Sequence, residues 1–138
     1  MSDFTLIIGN KNYSSWSLRP WLLLKQAAIP FKETRLAFGS DDLSKYSPSG
    51  LVPALKHGSL TMWDSLTIAE YLAEQFPEKD LWPRDVEARA VARSVSAEMH
   101  SGFINLRTHM NMNCRGHFPG KGMTPEVEKD IRRIQHIW

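Results

Sequence analysis

Cysteine is almost absent: the 138 residues hold one, Cys114. That excludes an intramolecular disulfide and a Cys-x-x-Cys redox pair, and it suits a reducing compartment. Charge of one sign is lacking as well. Seventeen Lys and Arg meet fifteen Asp and Glu, a net charge of +2 with the two signs mixed along the chain. No basic stripe marks a nucleic-acid partner. Apolar runs such as Trp21-Leu22-Leu23-Leu24 fall far short of the roughly 20 residues that span a bilayer. Met1-Ser2-Asp3-Phe4 does not open a signal peptide. The expectation is a cytoplasmic protein with no membrane or nucleic-acid partner. The spacing of His109, Cys114 and His117 fits no zinc pattern, so no metal is expected.

What is present is a regular alternation of element signals. Phe4 to Gly9 is apolar, β-branched in its second half, and closed by glycine, which reads as a buried strand. Ser17 to Ala28 carries Leu18, Trp21, Leu22 and Leu24 at helical spacing, with Pro20 near its start, where a missing N–H costs little. Phe31 to Leu36 alternates apolar and polar as a second strand does, completing a βαβ unit. Residues 39–50 are loop-like with room for one helical turn. Val52 to Lys56 and Leu60 to Trp63 form a hairpin about His57-Gly58-Ser59, and Asp64-Ser65 opens a helix to about Glu74. Residues 77–85 are polar and bracketed by prolines. Beyond them the strand signal ends. Val86 to about Met110 reads as one long helix, and Thr124-Pro125-Glu126 has the cap, proline and acid of a helix start. The expected fold class is α/β: a mixed four-stranded sheet with helices over residues 1–78, a linker over 79–85, and the start of an all-helical part over 86–138.

Three short strings carry chemistry on this frame. Pro53 inside a strand removes a ladder donor. Either it sits on an edge, or a cis Val52-Pro53 bond turns the Val52 backbone outward, where an extended peptide pairs with it. Asp64-Ser65 either caps its helix or uses the free N–H groups there to hold a carboxylate, with Asp64 beside an α-amino group. Ser14 and Ser15 lie where strand feeds helix. They cap it, or they donate to a thiolate. A free thiol with pKa about 8.5 is only a few per cent ionised at neutral pH. Lowering it by two units takes about 2.7 kcal/mol, and a hydroxyl donor at about 1.5–3 kcal/mol with a helix end at about 0.3–1 kcal/mol supplies most of that.

These strings, in this order, resemble those of the cytosolic glutathione transferases. Ser14-Ser15-Trp16-Ser17 is similar to the Ser-Ser-Cys-Ser string of the zeta class, with Trp16 at the cysteine. Val52-Pro53 resembles the family's Val-Pro with its cis-proline, whose valine backbone binds the cysteinyl part of glutathione. Asp64-Ser65 resembles the Glu/Gln-Ser pair that grips the γ-glutamyl end. Glu98-Met99-His100-Ser101-Gly102-Phe103 is similar to a Glu-Leu-His-x-Gly-Phe stretch of bacterial beta-class members. The likeness covers about residues 4–115. It implies a thioredoxin-like N-terminal domain, an all-helical C-terminal one, glutathione as cosubstrate, a small electrophile as second substrate, and a homodimer. It implies Ser14 as thiol activator with Ser15 as the near alternative, Val52, Pro53, Asp64 and Ser65 as the glutathione site, and His100 beside it. Lys45 and Arg35 are both open for the glycine carboxylate. The family continues through further helices, so the resemblance implies a chain shortened at its C-terminus. Two other readings stand beside conjugation: a non-catalytic binding module, and a zeta-type glutathione-dependent isomerase.

Overall fold

The computed structural model describes residues 3–40 and 42–138. Met1, Ser2 and Asp41 lie outside the described residues. Four strands form one sheet: β1 (Phe4–Ile8), β2 (Lys32–Arg35), β3 (Ala54–His57) and β4 (Leu60–Met62), in the order β2-β1-β3-β4. β1 runs parallel to β2, with Leu6 opposite Glu33, and antiparallel to β3, with Leu6 opposite Leu55. β3 and β4 are antiparallel, joined across Gly58 at φ 59°. A turn with positive φ is where glycine costs least. The parallel pair is bridged by α1 (Ser15–Gln26), as a βαβ crossover requires. This is the mixed thioredoxin-like layer that the sequence leads one to expect.

One face of the sheet builds the core. Phe4, Leu6 and Ile8 alternate along β1 and so share a face. They pack with Leu24 of α1, with Leu55 and Met62 from the hairpin, and with Ile68 and Leu72 of α3 (Ser65–Gln75). Leu6, Leu24, Leu55, Ile68 and Leu72 are fully buried. Each such side chain contributes about 1.5–3 kcal/mol relative to exposure. β2 is the edge strand, and its Lys32, Glu33 and Arg35 are exposed, which blunts pairing with another chain. Glu33 also fastens that edge. It accepts from Trp21 Nε1 of α1 at 2.7 Å and pairs with Lys11 at 2.6 Å.

Several boundaries differ from the sequence reading. α1 begins two residues earlier than the apolar period, at Ser15, because Ser14 caps it: its Oγ accepts from Ser17 N at 3.3 Å. β3 begins at Ala54, so Pro53 precedes the strand and removes no ladder bond. Loop residues 39–50 do contain a helical turn, α2 (Leu43–Tyr46).

The largest correction concerns residues 86–110. They form two helices, α4 (Val86–Ser101) and α5 (Ile104–His109). The ladder breaks at Gly102, in extended conformation, and at Phe103, whose φ is 61° and whose ring is buried. A Cβ on Gly102 would lie 2.7 Å from the Glu98 carbonyl, so the break requires glycine. Both new helix ends are satisfied. Arg107 donates to the carbonyls of Gly102, at 3.0 Å, and Met99. Asp130 of α6 (Pro125–Ile137) accepts from Leu106 N at 3.0 Å. α6 starts where the sequence puts it, with Thr124 Oγ1 accepting from Val127 N. Of the spaced residues Val91, Val95, Met99, Phe103, Leu106 and Met110, only Phe103 is buried, and Val91 is exposed.

Candidate functional site

Three pieces of backbone meet at one end of the sheet: the start of α1, the segment before β3, and the start of α3. The Val52–Pro53 bond is cis, and the Trp63–Asp64 bond is cis as well. A cleft of about 250 Å³ lies between α1 and the segment before β3, lined by Ser14, Ser15, Trp16, Phe38 and Val52. A second, of about 380 Å³, continues from Trp16 and Val52 past Pro53 to Asp64, Ser65 and His100. The two share Trp16, Leu51 and Val52 and form one continuous trough. Seven of the residues singled out by the sequence line it: Ser14, Ser15, Val52, Pro53, Asp64, Ser65 and His100.

The two serines differ in their commitments. Ser14 is buried. It caps α1 and donates its hydroxyl to Ser17 Oγ at 2.8 Å, and Ser17 Oγ also accepts from Gly9 N at 3.1 Å. Gly9 has no side chain because Phe38 and Val52 press against it; a Cβ there would sit 2.7 Å from the Phe38 ring. Ser15 is half-buried, and its hydroxyl makes no hydrogen bond among the described residues. One hydroxyl is therefore braced and the other free, side by side at a helix N-terminus, where partial positive charge stabilises an anion.

At the far end of the trough Asp64 caps α3. Its Oδ1 accepts from Leu66 N at 3.0 Å and Thr67 N at 3.4 Å. Its other oxygen lies 2.9 Å from His100 Nε2 of α4. Half of this carboxylate is thus taken up inside the protein, and about half of the side chain remains exposed. Ser65 is different. It is buried, and its Oγ bonds to no protein group. Buried hydroxyls are rarely left so, and this one lies at the α3 start, where Asp64 already accepts from the N–H groups of Leu66, Thr67 and Ile68 and leaves that of Ser65.

Trp16 stands between the two ends. His100 meets its ring edge-on at 5.3 Å, and the guanidinium carbons of Arg19 and Arg107 lie 4.2 and 4.6 Å from its centroid. Burial lowers the Arg19 pKa from its ordinary value, repulsion from Arg107 lowers it further, and Asp64 opposes both. The sequence reading missed these arginines and also Ser17. Ser17, three residues after a capping serine, carried a signal in its spacing. Arg107 carried none, because only the break after α4 brings it back to Trp16. The two residues left open elsewhere separate here: Lys45 is bonded to Asp42 at 2.7 Å, and Arg35 opens on another cleft.

Comparisons with known proteins point to one family. Residues 13–75 match the family described as glutathione S-transferase, N-terminal domain. The chain is 39% identical over 111 residues to glutathione S-transferase Z1 of Arabidopsis thaliana, covering 74% of this chain and 49% of that one. It is 30% identical over 136 residues to glutathione S-transferase GstB of Escherichia coli, covering 94% and 62%. A crystal structure of a glutathione transferase homolog from Burkholderia, with bound glutathione, superposes with a TM-score of 0.69 at 30% identity, over 78% of this chain and 62% of that one. The chain spans about a third to a half of the length of the first curated relatives it matches.

Proposed function

The chain belongs to the glutathione transferase family, and from that premise we propose that it binds glutathione along the trough from Ser14 to Ser65 and stabilises its thiolate for attack on a small electrophile. The observation that carries this reading is the unpartnered, buried Ser65 hydroxyl at one end of a continuous trough whose other end holds two hydroxyls at a helix start. The residues fit a γ-glutamyl peptide in order. Ser65, through its hydroxyl and its own N–H at the α3 start, holds a carboxylate. The exposed half of Asp64 faces an α-amino group, with His100 holding the carboxylate in place. The Val52 backbone, next to the cis bond, pairs with the extended cysteinyl unit. Ser15, with Ser14 behind it, donates to the sulfur. Serine acts here as a hydrogen-bond donor, not as a nucleophile.

Trp16 occupies the place of the zeta-class cysteine, so conjugation is the first reading and isomerisation the second. The homodimer expected of the family belongs to the same proposal. Calorimetric titration of the full chain with glutathione tests the binding half, and conjugation rates on a panel of electrophiles test the catalytic half. Binding without turnover assigns the chain to the non-catalytic module; absence of binding removes the proposal.

A further inference from the structure

Ser14 and Ser15 stand between two residues that the helical part of the chain grips. After them comes Trp16, whose ring meets His100 of α4 and Arg107 of α5. Before them comes the β1–α1 connection, and there the grip is a pair of asparagines. Asn12 Nδ2 donates to Asn113 Oδ1 at 2.9 Å, across 101 positions of sequence. Beside it Cys114 N donates to Asn12 O at 3.2 Å.

Both asparagines are built into their turns. Asn113 Oδ1 also accepts from Gly116 N at 2.9 Å and Arg115 N at 3.3 Å, so one oxygen closes its own turn and holds Asn12. A Cβ on Gly116 would lie 2.7 Å from Asn113 Nδ2, so glycine leaves room for this amide. In the connection, Asn10 Oδ1 accepts from Asn12 N at 2.8 Å. The Asn10 carbonyl accepts from Tyr13 N at 3.2 Å and Ser14 N at 2.8 Å. The connection is therefore one hydrogen-bonded piece, and Ser14 moves with Asn12. Asn12 Oδ1 is buried and bonded to no protein group. Burial of a bare amide oxygen is unfavourable, so the bonds to residues 113 and 114 are what hold Asn12 inside. The other tie on the connection, Lys11 to Glu33 at 2.6 Å, is partly exposed, and such pairs contribute little.

We propose that Asn113 is a positioning residue for thiol activation: through Asn12 it sets the β1–α1 connection and so aims the Ser14 and Ser15 hydroxyls, without touching the thiol. The inference rests on the reading of those serines as donors to the glutathione sulfur. A hydrogen bond weakens steeply as its angle falls toward about 120°, so a connection released at Asn12 loses its hold on the thiolate. Glutathione binding depends less on this contact, because Val52, Asp64 and Ser65 lie on other segments.

Titration of glutathione bound to the full chain, followed by thiolate absorbance, tests the proposal. Asn113→Ala is expected to raise the thiol pKa by about one unit, which removes up to about tenfold of the thiolate. Calorimetry below the thiol pKa is expected to show nearly unchanged affinity. Asn12→Ala breaks the same contact from the other side and is expected to raise the pKa alike, also where Asn113→Ala does not fold. The double variant is expected to show no further rise, since the second substitution removes nothing that the first left. A lowered melting midpoint with an unchanged thiol pKa in a folded variant, or rises that add in the double variant, overturns the inference and leaves the serine reading intact. An ordinary thiol pKa in the wild-type complex removes the serine reading and this inference with it.

Discussion

Replacing Ser14 and Ser15 one at a time by alanine separates structure from thiol activation. Ser14→Ala removes the α1 cap, which costs about 0.5–2 kcal/mol, and takes a donor from Ser17 Oγ, which keeps its bond from Gly9 N. A loss of about 1 kcal/mol in a chain of this size lowers the melting midpoint by about 3–5 °C. Ser15→Ala breaks no bond within the protein and is expected to leave the midpoint within about 1 °C, as surface changes do. The thiol responds in the opposite order. A hydroxyl donor to a thiolate contributes about 1.5–3 kcal/mol, or about one to two pKa units. Ser15 has no protein bond to give up and delivers that in full. Ser14 must first leave Ser17, at about 1 kcal/mol, and delivers less. The assay is titration of bound glutathione by thiolate absorbance, because the rate understates the effect. Each unit of raised pKa removes tenfold of the thiolate and returns about threefold in nucleophilicity. The reasoning is refuted if neither variant raises the thiol pKa while both still bind glutathione.

Other consequences follow from the same contacts. Ser65→Ala is expected to weaken glutathione binding about tenfold by calorimetry, as loss of a hydrogen bond to a charged group does, while leaving stability almost unchanged, because its hydroxyl bonds to nothing in the protein; unchanged affinity argues against the carboxylate site. Leu72→Ala, at a fully buried position, is expected to cost about 2–5 kcal/mol in denaturant unfolding. The hydrogen bond from Arg133, which donates to Glu98 at 2.6 and 2.8 Å, holds the Glu98 carboxyl below its usual value and ties α4 to α6. A depressed carboxyl contributes stability above its unfolded value of about 4.3 and loses it as pH falls through the lowered one. Glu98→Gln is therefore expected to melt lower than the native chain at neutral pH and to converge with it in acid, once the pH has fallen through the lowered value. A difference that persists there locates the effect elsewhere.

Local rules made much of this protein readable. Alternation in Phe4–Ile8, the glycine at position 58, and the caps at Asp64 and Thr124 act over a few residues, so they place strands, turn and helix starts without knowledge of the rest. The strings Ser14-Ser15, Val52-Pro53 and Asp64-Ser65 were legible for the same reason: each is a short backbone device complete in itself. The helix break at Gly102 was not, because an apolar period continues through it. The break holds only once Arg107 and Asp130 satisfy the helix ends it exposes.

By itself the sequence determined the α/β layer and the three strings, since periodicity and capping depend on neighbours in the chain. Tertiary structure alone decided how those strings are used. It gave half of Asp64 to His100, left Ser65 unbonded, and brought Arg35 within one cleft of Arg115. Those outcomes depend on hydrogen bonds and charges between residues distant in the chain, and only folding sets those distances.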